Sequence, residues 1–188
     1  CQYNVEFSSH QMVQASLEEV RRARFAAFTF DNRSGRVEAQ GPGYLTVWRR
    51  GQGKRASLGP LGAAGANQGM QTRQTGWEYI RIDFARDMIG NVKKKSTVAR
   101  GEVQVIYSPV DEPLAMVNLD RLPKDGGAIS CDSIELIQRT SVKDGNYIEL
   151  LASGNASLEG QTFYGLADEV SYDESKGLYM LKSYGENE

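Results

Sequence analysis

The residues able to do chemistry are few and scattered along this chain of 188 residues. His10 is the single histidine and lies in the polar stretch Ser8-Ser9-His10-Gln11. Acid–base catalysis by histidine needs a partner to activate or a group to orient the ring. A zinc site needs several nitrogen or sulfur ligands. Neither partner is in sight: the two cysteines, Cys1 and Cys131, form no CxxC pair. Gly51, Gly53 and Lys54 suggest a phosphate loop, but Arg55 stands where such a loop needs Ser or Thr, and the upstream glycine is missing. A solvated basic loop is expected there. The carboxylates are numerous, yet no pair has a spacing that names a glycosidase. Asn32-Arg33-Ser34 and Asn155-Ala156-Ser157 fit the glycosylation sequon. One falls in a turn and the other in a strand repeat, so both read as chance matches. No catalytic residue, metal or cofactor is expected, and the chain does not read as an enzyme.

Basic residues cluster at Arg21-Arg22-x-Arg24, at Arg49-Arg50 with Lys54-Arg55, and at Lys93-Lys94-Lys95. Such clusters meet lipid phosphates or acidic surfaces. They also guard solvated strand edges against pairing, and this second role is the expectation. With 24% charged residues and a net charge of -2, no nucleic-acid footprint is present. No apolar run approaches the ~18 residues of a membrane-spanning helix, so no transmembrane segment is expected. The length allows one substantial domain or two small ones. A start at Cys1 reads as a piece of a longer protein, or as the processed end of a lipoprotein. Cys1 and Cys131 form a disulfide in an oxidising compartment, or stay as two half-buried thiols.

The elements that position these side chains are strands. Val5 and Phe7 alternate with Glu6 and Ser8. Val37, Ala39, Gly41, Gly43, Leu45 and Val47 share one parity; so do Thr97, Ala99, Gly101, Val103, Val105 and Tyr107. Ile80, Ile82 and Phe84 form a shorter set, and Ile148, Leu150, Ala152, Gly154, Ala156 and Leu158 the fullest. A period of two puts each set on one face of a sheet. Residues 16–25 fit two readings: a short helix opened by a Ser16/Glu19 capping box, or a strand with long charged side chains. Residues 51–76 carry Gly, Ala, Gln and Asn without periodicity and read as a long loop, as does Pro109–Asp125.

The strand sets repeat one another. Ala-x-Gly followed by alternating apolar residues occurs from Ala39, from Ala99 and from Ala152. Phe28-Thr-Phe30-Asp31-x3-Gly35 is echoed by Val170-Ser-Tyr172-Asp173-x3-Gly177. Asp bonds its own backbone across a turn and Gly supplies positive φ, so both are hairpin signatures. Cys131-Asp132-x-Ile134-x-Leu136 matches Ala167-Asp168-x-Val170-x-Tyr172. Such repeats predict stacked hairpins with insertions at their loop ends. Residues 1–50 then form a first β segment and 77–188 a second, within one continuous domain or a fragment of a larger protein.

The segment 148–178 resembles the OstA-like (LptA-like) domain of the lipopolysaccharide-transport proteins. Ala152, Gly154, Asn155, Ala156, Ala167, Asp168, Tyr172, Asp173 and Gly177 occupy that pattern's positions. The likeness is fainter over 28–45 and 99–132, and the long insertions depart from the regular family unit. It implies an all-β fold, an open antiparallel β-jellyroll of stacked hairpins, to which this chain adds long loop insertions, in the periplasm or cell envelope. It also implies an apolar groove that buries the acyl chains of a lipid or lipopolysaccharide. The residues expected to line such a groove are Leu45, Val47, Val103, Val105, Ile134, Leu136, Ile148, Leu150, Ala156 and Leu158. Plain core packing is the competing reading of each. Small inward residues are expected to leave room inside. The alternative function is a structural module that docks on neighbouring copies or envelope proteins through open sheet edges. A hydrolase on a β-solenoid would need clustered Asp, Lys or Arg on one face, a spacing not seen here.

Overall fold

The computed structural model describes residues 5–50, 76–118, 126–141, 145–160 and 162–185. They form one open, jellyroll-like antiparallel sheet of 12 strands, and no helix occurs among them. The strands are β1 (Val5–Val13), β2 (Ser16–Phe25), β3 (Ala27–Asp31), β4 (Arg36–Gln40), β5 (Gly43–Arg50) and β6 (Trp77–Phe84). They continue as β7 (Asp87–Asn91), β8 (Ser96–Val110), β9 (Gly127–Ser141), β10 (Gly145–Gly160), β11 (Tyr164–Asp173) and β12 (Leu178–Lys182).

The order β1-β2-β5-β6-β8-β9-β10-β11-β12 defines the main path. β3, β4 and β7 form a side branch that joins at β8. The long strands β8, β9 and β10, and β11 beside them, belong to both halves of the sheet, and the others are shorter pieces on one side of a transverse bend. The lower half holds β1, β2, β5 and β6, and the upper half β3, β4, β7 and β12.

Residues 16–25 are strand, which settles the choice against a helix. β2 pairs along both edges, with β1 and β5. Its apolar residues divide between two faces: Val20 is buried with Trp48 and Tyr79, while Ala23 and Phe25 join the main core. Backbone pairing on both sides outweighs a weak local helix preference. The stretch Gly51–Thr75 lies outside the described residues. β8 extends through Val110, so the second loop begins two residues later than its sequence suggests.

The bend is built by the repeats. Pairing breaks at Ala26, at Gly41-Pro42, whose peptide bond is cis, and at Ala85-Arg86. β8 and β10 pass through it without a break. Each uses two consecutive left-handed residues, Gly101-Glu102 at φ 81° and 46° and Gly154-Asn155 at φ 79° and 47°. The ladder shifts register at the same places. Neighbouring strands lock across the bend: Gly41 N donates to Arg86 O at 2.8 Å, and Ala85 N to Gly101 O at 2.7 Å. Gly154 lies so close to β9 that a Cβ there would sit 2.4 Å from Asp132 Oδ2.

Just above the bend runs one transverse row, joined pair by pair: Phe28, Ala39, Met88, Ala99, Ile134, Ala152, Val170 and Leu181. Below it runs a second: Phe7, Ala23, Leu45, Ile82, Val105, Ile129 and Leu158. Their buried members belong to a single core cluster. The two halves therefore fold face to face, and the inner faces of both fill one interior. A second cluster, Val20, Trp48, Trp77, Tyr79, Ile106 and Ala128, covers the outer face of the lower half. The segment after β8 closes over it, with Trp48 Nε1 donating to Ala115 O at 3.1 Å.

Candidate functional site

The site to be tested is the interior between the halves. All ten residues expected to line a groove carry the inner-face parity. Val103, Val105, Ile134, Leu150, Ala156 and Leu158 are buried, at 0–4% exposure. Leu45 and Leu136 pack against the same cluster while partly open, and Val47 and Ile148 are also partly buried. The expectation that small residues leave room inside fails near the bend. Ala39, Ala99, Ala152 and Ala156 are 0–2% exposed, so neighbouring side chains already occupy that space.

Away from the bend the interior is closed by polar groups. Arg49 Nε donates to Glu78 Oε2 at 2.7 Å across β5 and β6. Arg49 Nη2 also lies 3.7 Å from Glu174 Oε1, on the β11–β12 turn of the opposite half. Glu174 Oε2 accepts from Ile148 N at 2.7 Å. Tyr107, Tyr172 and Tyr179 stand beside this group, with the Tyr172 and Tyr179 rings stacked at 4.4 Å. Burial pushes the carboxyls of Glu78 and Glu174 above the ordinary carboxylate range, against the attraction of Arg49. Burial raises all three tyrosines strongly as well. Sequence reasoning missed this closure, because Arg49 was grouped with Arg50 as a surface cluster. The available signal was parity: Arg49 follows Leu45 and Val47 on the inner face, and Glu78 precedes Ile80 and Ile82.

The interior opens at the edge formed by β1 below and β3 above. There the inner-face residues Val5, Phe7, Phe28 and Phe30 are 36–50% exposed. The Phe28 ring stacks on buried Phe25 at 5.8 Å, so the exposed aromatics continue directly into the core. The other edge, β11 and β12, exposes Tyr164, Leu166, Met180 and Leu181.

Above the first mouth, two turns stand side by side. In the β3–β4 turn, Asp31 Oδ1 accepts from Arg33 N at 2.8 Å, Asp31 Oδ2 accepts from Ser34 Oγ at 2.7 Å, and Gly35 takes φ 74°. Asp173 and Gly177 repeat the device between β11 and β12. Both hairpins are thus as the sequence predicted. A third turn of the same form joins β7 to β8: Asn91 Oδ1 accepts from Lys93 N and Lys94 N at 3.0 and 2.9 Å, and Lys95 takes φ 53°. Asn in place of Asp, and Lys in place of Gly, hid it. Lys93–Lys95 therefore occupy a turn, not a strand edge, and Arg21, Arg22 and Arg24 lie on the interior strand β2.

His10 is exposed on β1, within the first strand. Cys131 is a buried free thiol of the core, and Cys1 lies outside the described residues. Gly51, Gly53 and Lys54 lie outside them too. Among the described residues, no three of His, Cys, Asp and Glu are grouped as metal ligands. No helix among them is long and apolar enough to cross a membrane. Comparison with protein-family models, curated proteins and solved structures finds no match to this chain.

Proposed function

We propose that this chain is a lipid- or lipopolysaccharide-binding module of a bacterial cell envelope, receiving acyl chains at the open edge of its apolar interior. One observation carries the reading. The inner face is apolar from the packed centre outward to exposed Phe7, Phe28 and Phe30, with no polar row between. An acyl chain laid on these rings removes apolar surface from water at about 25 cal/mol per Å². The filled centre confines binding to the mouth unless the halves move apart. The OstA-like pattern of 148–178 supports the same reading, and the periplasm is the compartment it implies.

The test is native mass spectrometry of protein purified mildly from cells, with lipid extraction of the same sample. A co-purifying lipid at stoichiometric amount, lost in a Phe7→Ser/Phe30→Ser variant, is the expected result. Lipid-free protein that forms ladders of multimers would instead favour the second reading, a structural module that assembles through its sheet edges. The close-packed centre, and the outer sides of β1, β3 and β12, unpaired among the described residues, favour that alternative.

A further inference from the structure

The β3–β4 and β7–β8 turns form a cationic rim over the mouth. Between them, residues 31–36 and 91–96 hold Arg33, Arg36, Lys93, Lys94 and Lys95 against one carboxylate, Asp31. Arg36 is paired with Glu38. Asp31 is engaged by its own turn. Arg33, Lys93, Lys94 and Lys95 are exposed and have no carboxylate partner among the described residues. The chain as a whole carries a net charge of -2, so this corner has the opposite sign to the molecule.

The cations are also held together. Val92 N donates to Gly35 O at 2.9 Å, Asn91 Nδ2 donates to Ser34 O at 3.2 Å, and Lys93 Nζ donates to Arg33 O. A Cβ at Gly35 would lie 2.8 Å from Lys93 Cγ, so the two turns are packed closely against each other. Clamping like charges in one place is unfavourable until an anion joins them. Phe30 leads directly into the first turn, and exposed Val92 sits in the second. Apolar rings and uncompensated cations thus lie side by side at one corner.

We propose that these paired turns bind the phosphate-bearing headgroup of an anionic amphiphile whose chain rests on Phe28 and Phe30. The inference rests on the lipid-binding reading and adds the headgroup's charge and place. Four cations at one corner match an anion and disfavour a zwitterion, whose own cation they repel.

Isothermal titration below the micelle concentration tests it. The probes are lauroyl-lysophosphatidylglycerol, lauroyl-lysophosphatidylcholine and inorganic phosphate. The anionic lysolipid is expected to bind about tenfold more tightly than the zwitterionic one, as several exposed ion pairs allow. Lys93→Gln/Lys94→Gln/Lys95→Gln should remove most of that preference, chiefly by weakening the anionic lysolipid. Lys94→Gln/Lys95→Gln, which keeps the Lys93 contact to the neighbouring turn, should remove part of it. Equal binding of both lysolipids by the wild-type chain, or a preference that survives the triple change, overturns the headgroup site. Failure of both lysolipids to bind overturns the lipid reading itself. Phosphate binding as tightly as the anionic lysolipid, and lost in the triple variant, overturns the amphiphile in favour of a free anion.

Discussion

Arg49 and Glu174 come within 3.7 Å of one another from opposite halves of the folded sheet. Each lies several residues beyond the bend on its own strand or turn, and a strand rises about 3.3 Å per residue. Their contact therefore closes the interior at its far side, where Glu78 completes the group.

This closure has a pH signature. The folded-state values of Glu78 and Glu174 are raised above the ordinary 4.5. A raised acid contributes stability that is complete below its unfolded value and is lost as pH climbs through the folded one. Asp31 and Asp173 behave oppositely, being lowered from 3.8 first of all by side-chain hydrogen bonds from Ser34 and Lys176 respectively. Their contribution is present above 3.8 and lost on acidification. From these four groups, urea denaturation should show greatest stability at about pH 4 to 5. Glu174→Gln, which can still accept from Ile148 N, should flatten the decline above that range. An unchanged slope in this variant would show that Glu174 titrates normally in the fold.

The bend glycines should differ from turn glycines. Gly177 takes φ 60° with nothing near its Cβ position, so Gly177→Ala costs about 1 kcal/mol for the left-handed backbone alone. Gly154→Ala meets the same backbone cost and a contact with Asp132, and should cost about 2–3 kcal/mol. Thermal unfolding of the two variants decides this; equal losses would mean that Asp132 simply swings away.

Ile134 is the centre of the row above the bend, 1% exposed between Ala99 and Ala152. Ile134→Ala should cost about 3–4 kcal/mol, because close-packed neighbours cannot collapse into the gap. Ile89 on β7 carries the outer-face parity and is only partly buried, so Ile89→Ala should cost about 1 kcal/mol. Similar losses at both sites would contradict a single interior.

Burial pushes the Cys131 thiol up to about 11. Thiolate is the reactive form, so Cys131 should resist a disulfide reagent at pH 8 in the native protein. In denaturant it should react at the rate of a free cysteine. Fast native labelling of Cys131, located by peptide mapping, would show that the core opens readily.

The fold was legible because its signals are local. Alternation along 97–107 and 148–158 puts both sets on the inner face, and Asp31-x3-Gly35 and Asp173-x3-Gly177 mark their own turns. Residues 16–25 were ambiguous because Leu17, Val20 and Ala23 suit a helix face, and only pairing with β1 and β5 separates them between two cores. The Arg49–Glu78–Glu174 closure joins strands distant in sequence, which no local pattern reports. The filling of the centre was hidden for the same reason: alternation says which way Ala99 and Ala152 point, not what arrives opposite them.

Opposite each left-handed pair, Gly101-Glu102 or Gly154-Asn155, the neighbouring strand β9 or β11 places a single residue, Asp132 or Asp168, so the register shifts by one at the bend. Ala99 and Val103, like Ala152 and Ala156, stay on the same face although the chain has changed direction between them. In β9 and β11 the face is kept over a step of three, from Cys131 to Ile134 and from Ala167 to Val170. The corner therefore keeps one lining by alternating steps of four and three along successive strands. A hairpin added at the margin would inherit both the crease and the correct lining only if its two strands followed the same alternation of four and three.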